Sequence, residues 1–298
     1  MKPIKTNSLR AWIVAVRPYS FGAATIPVAA GTALAWHDGA FRWQPALLCL
    51  LFALLMQCVA NLVNDLFDFL KGSDRPDRLG PDRAFAKGYI TPPAMKAGIA
   101  LFTAAAAAVG IGLLWYGGWW LVWIGLLCVA AAYLYTAGPW PLAYKGLGDA
   151  AVVLFFGIVP LGFTYYVQAR TWTTETTFAA LACGLVIDTM LMVNNFRDRE
   201  EDARCGKRTV VVRFGKGFGK WGYFALGTGA MLCCLPLAIR GSYWALALPA
   251  AWWLLLFVPA WRRMVRTDHG EALNASLGET ARNLLLFGVL LTLGILIQ

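Results

Sequence analysis

Asp65, Asp68 and Asp74 stand in the stretch QCVANLVNDLFDFLKGSD, Gln57 to Asp74, at the end of a long apolar run that has no packing reason to carry carboxylates. Asp77 and Asp82 follow. A second group, Asp198, Glu200, Glu201 and Asp202, lies in NNFRDREED, so nine of the sixteen acids fall in two short segments. At about 100° per residue, Gln57, Asn61, Asn64, Asp65 and Asp68 share an arc of roughly 100° on one helix. Asp188, Asn195, Asp198 and Asp202 likewise share a face of another. Acids three and four residues apart on one face suit a hard cation such as Mg2+, which takes oxygen ligands, keeps waters and shares its shell with phosphates. The plainer reading is a solvated helix end. That reading fits Asp77, Asp82, Glu200 and Glu201; the spacing of Asp65, Asp68, Asp198 and Asp202 favours paired ligands.

Bases surround both groups: Lys71, Arg75, Arg78, Lys145, Lys207 and Arg208. Carboxylates alone would repel a phosphate. Carboxylates holding Mg2+, with Lys and Arg beside them, would clamp a diphosphate. An apolar cavity below that clamp would suit a hydrocarbon chain, since ionisable groups within spans normally face a bundle interior or a wet cavity.

The elements that must position these groups are membrane helices. The 298-residue chain is 59% hydrophobic and 14% charged, with mean hydropathy +0.59; soluble domains carry about a quarter charged residues. Nine apolar segments, near 20–36, 44–70, 94–115, 118–136, 147–168, 174–196, 221–239, 243–261 and 281–297, approach the roughly 20 residues that a crossing needs. The fold class expected is all-α: a polytopic integral membrane protein of about nine transmembrane helices, one domain over residues 1–298. Loops at about 71–93 and 197–220 are expected to cap the site on the cytoplasmic side. Nothing resembles a cleavable signal peptide.

The net charge of +10 does not point to nucleic acid. With the N-terminus cytoplasmic, only Arg42, Arg170 and Arg240 of the 26 Lys and Arg residues lie outside, which is the positive-inside pattern. The seven cysteines form no CxxC pair and read as core packing. GFGKWG fits a dinucleotide fingerprint by letter but has no preceding strand. GKRT at Gly206 lacks the earlier glycine of a Walker loop.

NDLFDFLKGSD resembles the first aspartate-rich motif of the UbiA superfamily of intramembrane prenyltransferases, and NNFRDREEDARCGKRTVVVRFG resembles its second. The form NNxRDxxxDxxxGKRT is similar to the branch that prenylates 1,4-dihydroxy-2-naphthoate. AVRPYSFGAATIPVAAGTALA, RLGPDRA, YTAGPWPLAYKGLGDA and LNASLGETARNLLLFGVLL agree, nearly end to end and in order. The resemblance implies nine helices around a central cavity. It implies transfer of a polyprenyl chain from polyprenyl diphosphate to 1,4-dihydroxy-2-naphthoate, with Mg2+ as cofactor, in the cytoplasmic membrane of a bacterium, with membrane lipid and no nucleic acid among its partners.

Residue by residue, Asn64, Asp65, Asp68 and Asp74, and Asn195, Asp198 and Asp202, correspond to metal and diphosphate binding. Lys207 and Arg208 correspond to phosphate contacts, with Asn61, Lys71, Arg78, Asn194 and Arg197 around the substrate. Tyr135 and Lys145 match a motif beside the diphosphate and the reacting carbon, and Arg17 an N-terminal arginine near the pocket. Asp188, two turns deeper than Asn195, is a candidate for bonding the aromatic acceptor or a neighbouring helix. Phe155, Phe156, Tyr165 and Tyr166 are candidates for facing an allylic cation, or for packing.

Three departures stand out. Asp74 follows Asp68 by six residues where four is commoner, Lys145 replaces an expected Arg, and Asp149 an expected Glu. The alternatives are another aromatic acceptor within the superfamily (4-hydroxybenzoate, homogentisate, or phytyl transfer) and an ion-coupled transporter, which would place acids at the bilayer midplane.

Overall fold

The computed structural model describes residues 4–74 and 80–297. Arg75, Asp77 and Arg78, singled out above, lie outside the described residues. Among the described residues every regular element is helical. These are α1 (Leu9–Val16), α2 (Phe21–His37), α3 (Trp43–Leu70), α4 (Pro92–Gly117) and α5 (Leu121–Leu134). They continue as α6 (Gly148–Ala169), α7 (Thr174–Arg204), α8 (Val210–Ile239), α9 (Trp244–Thr267) and α10 (Leu273–Leu296).

Among the described residues, eight segments are long and apolar enough to cross a bilayer: Leu9–His37, α3, α4 and α6 to α10. The ninth expected crossing is α5, whose 14 residues rise only about 21 Å at 1.5 Å each. Four helices outrun the segments expected from hydropathy by more than a turn. α7 continues to Arg204 and α9 to Thr267, α8 begins at Val210 with a break at Gly215, and α10 begins at Leu273. Hydropathy stops where charge begins, but a helix can carry its charged turns beyond the hydrocarbon. The loop expected over 197–220 therefore shrinks to 205–209, and the second acid group is helical.

α7 is the central helix and packs against α2, α6, α8 and α10. Its contact with α6 is backbone on backbone: a Cβ on Gly157 would lie 2.5 Å from Gly184 Cα, and one on Gly184 2.7 Å from the Val153 carbonyl. Small residues permit such close crossings where lipid offers no hydrophobic drive for association. In α6, Val153–Ile158 form a π-helical turn just ahead of Pro160. Proline lacks the N–H and its ring crowds the carbonyl four residues earlier, which opens the helix there. The wider turn keeps Ala151, Phe155, Val159 and Phe163, spaced by four, on one wall of the interior cavity.

Candidate active site

The cavity has a volume of about 370 Å³. Its floor and sides are apolar: Phe52 and Met56 of α3, Ile124 and Cys128 of α5, and Phe155, Phe156 and Phe163 of α6. Its head is polar, where Asn64 and Asp68 of α3 face Asn194, Asn195, Asp198, Glu201 and Asp202 of α7. Ser73, Asp74, Arg83, Lys207, Arg17 and Tyr135 complete the head.

The two acid-bearing helices end in the same way. Four residues after Asp68, Gly72 takes φ +76°, and four after Asp202, Gly206 takes φ +74°. Glycine enters this left-handed region without a Cβ penalty, so each turn reverses the chain over its own helix end. On α3 the reversal is held by Ser73 N–H donating to the Asp68 carbonyl at 2.9 Å, and it brings Asp74 beside Asp68. On α7 Lys207 N–H donates to the Asp202 carbonyl at 2.8 Å, and Lys207 Nζ returns to 3.6 Å from Asp202 Oδ1. The six-residue spacing of Asp74 is thereby explained: a glycine turn replaces a further turn of helix. The Cys205 thiol donates to the Gly72 carbonyl at 3.4 Å, joining the two turns.

Each acid of the head has a partner. Asp68 accepts from Asn64 Nδ2 at 2.8 Å and from the Tyr144 hydroxyl at 2.8 Å. Asp74 Oδ2 lies 3.2 Å from Arg83 Nε. Asp198 receives both Nε and Nη2 of Arg197, at 2.6 and 2.7 Å, while the same guanidinium reaches Asn194 and Asn274. Arg17, in a left-handed conformation (φ +53°) between α1 and α2, donates to Asn64 Oδ1 and the Asn61 carbonyl, each at 3.3 Å. The Val16 carbonyl freed by that break accepts from Asn61 Nδ2 at 2.8 Å.

The structure does not bring every expected residue to the cavity. Asp65 is fully buried off its wall, with Oδ1 3.9 Å from Arg17 and Oδ2 accepting from Phe85 N–H at 3.3 Å. Lys145 is exposed and lies over the Trp140 ring at 4.8 Å, while its neighbour Tyr144 turns inward to Asp68. Arg208 is exposed and away from the cavity wall, and Lys71 reaches the Gly138 carbonyl and the Tyr144 ring. Arg197 is buried behind Asp198. Asp188 is buried off the wall, with its Oδ1 lacking a hydrogen bond. Of the aromatic candidates, Phe155 and Phe156 line the cavity; Tyr165 bonds Asp38 and Tyr166 packs on Trp120. Arg83, Tyr144, Phe52 and Phe163 were not singled out. RLGPDRA and YTAGPWPLAYKGLGDA contain the first two, but neither lies on an apolar span whose periodicity would orient it.

Electrostatics follow from this crowding. Burial opposes the charge on Lys207, yet Asp68, Asp202, Asp198 and Asp74 together hold its pKa above the usual lysine value. Burial also opposes the Arg83 charge, and Asp74 and Asp65 outweigh it. The Tyr144 hydroxyl is pushed up by burial and by Asp68, so it stays a proton donor. The donor set is all oxygen. Asp202 Oδ2 is buried without a hydrogen bond, and no three acidic, histidine or cysteine groups among the described residues converge on one point. Such a set fits Mg2+ completed by waters and phosphate oxygens better than a closed protein cage.

The chain matches the model of the UbiA prenyltransferase family over residues 24–293. It is 35% identical to the 1,4-dihydroxy-2-naphthoate octaprenyltransferase of Escherichia coli, over 97% of this chain and 96% of that protein. It is 32% identical to the protein of the same name from Haemophilus influenzae, over 99% of each. In fold it resembles a UbiA homologue from Archaeoglobus fulgidus bound to DMAPP and Mg2+, with a TM-score of 0.67 at 14% identity over 94% of this chain and 98% of that one.

Proposed function

Since this chain belongs to the UbiA prenyltransferase family, we propose that it is a Mg2+-dependent prenyltransferase of the naphthoate branch. It transfers a polyprenyl chain from polyprenyl diphosphate to 1,4-dihydroxy-2-naphthoate, releases carbon dioxide and diphosphate, and so makes the demethylated quinol of menaquinone synthesis. The observation that carries the chemistry is the pair of acid-bearing helix ends, closed by Lys207, over an apolar cavity. The choice of acceptor is supported by the named activity of relatives that align along almost the whole chain.

Asp68, Asp74, Asp198 and Asp202, with Asn64 and Asn195, would hold Mg2+. When bound, it neutralises charge on the departing diphosphate. Lys207, Arg83 and Arg17 are the cations at the cavity head among the described residues, and Lys207 donates to phosphate oxygens as negative charge develops on them. Arg17 and Tyr144 hold Asn64 and Asp68 in place. Phe52, Phe155, Phe156 and Phe163 keep water from the allylic carbon as the carbon–oxygen bond breaks, and present ring faces to its positive charge. The naphthalene ring supplies the electron pair for the new carbon–carbon bond at the carbon bearing the carboxylate. The electrons of the departing carboxylate bond then restore the aromatic ring.

The protein is integral to the membrane. The orientation that agrees with this chemistry puts the acid-bearing ends in the cytoplasm and Asp38 and Arg170 outside, in the inner membrane of a bacterium. Naphthoate labelled at its carboxyl carbon tests the reading. One labelled carbon dioxide should appear per chain transferred; label retained in the lipid product, or faster turnover of 4-hydroxybenzoate, would overturn the choice of acceptor.

A further inference from the structure

We infer that Lys207 is a built-in counter-ion standing in for the metal, which must leave the acid cluster before Mg2+ is held there, so that metal and diphosphate bind as a pair. The inference rests on the function proposed above. Five carboxylates, Asp68, Asp74, Asp198, Glu201 and Asp202, line the head of the cavity, and like charges gathered in a buried site repel one another unless cations stand beside them. Asp74 has Arg83 and Asp198 has Arg197. Among the described residues Asp68 accepts hydrogen bonds from neutral donors, Asn64 and Tyr144, and feels the charges of Lys207, Arg83 and Lys71 without a direct ion pair. Asp202 has Lys207, whose charge acts on Asp68, Asp74, Asp198 and Asp202 together.

Lys207 is also the partner that can be exchanged. Arg197 is 1% exposed, and its guanidinium is fixed by Asn194, Asn274 and Asp198 at once. Lys207 sits in the five-residue segment between α7 and α8, just after the positive-φ Gly206, on a flexible four-carbon stem. Its Nζ is 3.6 Å from Asp202 Oδ1, longer than a good charge-assisted hydrogen bond. Asp202 Oδ2 remains without a hydrogen bond, and it is the oxygen left for another cation.

A divalent ion arriving alone would meet an ammonium already neutralising its ligands. An ion arriving with diphosphate offers Lys207 a new anionic partner, so the ammonium turns from Asp202 to phosphate and the carboxylates pass to the metal. The two ligands then strengthen one another by the same factor, as linkage requires.

The test is Mn2+ binding to the purified full-length protein in detergent, followed by electron paramagnetic resonance, with and without inorganic diphosphate. Wild type should bind Mn2+ weakly alone and at least tenfold more tightly with diphosphate. Lys207→Met should bind Mn2+ alone about tenfold more tightly than wild type, the order expected from removing a unit charge a few ångströms away. It should also lose most of the gain from diphosphate, and Lys207→Arg should keep it. If Lys207→Met, with an unchanged melting temperature, binds Mn2+ alone no better than wild type, the counter-ion role is wrong. If wild type binds no Mn2+ even with diphosphate, the metal-dependent function proposed above fails instead.

Discussion

Asp65 and Asp68 stand three residues apart in one motif, and substitution should separate them. Asp65 is fully buried, paired with Arg17 at 3.9 Å and accepting from Phe85 N–H at 3.3 Å. Asp65→Asn keeps the shape and an acceptor for Phe85, but it removes the ion-pair partner of buried Arg17. Removing one partner of a buried pair costs roughly 3–5 kcal/mol, and the long separation here places the cost near about 3. Arg17 would still reach Asn64 Oδ1 and the Asn61 carbonyl, so the metal ligands should stay close to their places. The melting temperature in detergent should fall by roughly 5 °C or more, while Mn2+ affinity with diphosphate stays within about threefold of wild type. Asp68→Asn should behave in the opposite way: little loss of stability, and Mn2+ affinity down by about tenfold or more. The reasoning is refuted if Asp65→Asn weakens Mn2+ binding as much as Asp68→Asn does, with an unchanged melting temperature. Asp65 would then be a ligand, and the buried Arg17 contact incidental.

Other outcomes follow from the same geometry. Asp198→Asn and Asp202→Asn should each cut turnover about a hundredfold or more with near-normal yield in the membrane, and EDTA should abolish activity that Mg2+ restores. Tyr144→Phe removes the hydroxyl that donates to Asp68 and should lower kcat about tenfold, the scale of one hydrogen bond to a charged group, whereas Lys145→Met should change it less than threefold. Gly184→Val forces a side chain into the Val153 backbone and should abolish the folded protein, read as loss of a monodisperse detergent peak. Cysteine labelling from outside should reach substitutions near Asp38 and Arg170 but not near Glu201; the reverse would invert the topology.

The acid groups were legible because a carboxylate in an apolar run is a signal of one dimension: it needs no partner to be noticed. Helical spacing then narrowed each group to a face, and this is where one sequence stops. Asp65 and Asp68 lie only about 60° apart around α3. Which of them meets the cavity is decided by α1, whose broken end carries Arg17 to Asp65 and leaves Asp68 to the interior. Tyr144 and Lys145 differ by one residue in a 3-10 turn, Leu142–Lys145, where one step rotates a side chain by about 120°. The charge that drew attention to Lys145 is the reason it faces outward, while the amphipathic neighbour reaches in. Arg83 had no periodicity to mark it, because it arrives on a loop. Gly72 and Gly206 carry the larger lesson. Each follows an aspartate by four residues, ends a helix and reverses the chain over the cavity head. On α3 that reversal delivers a carboxylate, Asp74, and on α7 an ammonium, Lys207. One turn design used twice with opposite charge gives the head both halves of what a metal diphosphate needs. It also makes the residue after the second glycine the one that decides whether metal can bind alone.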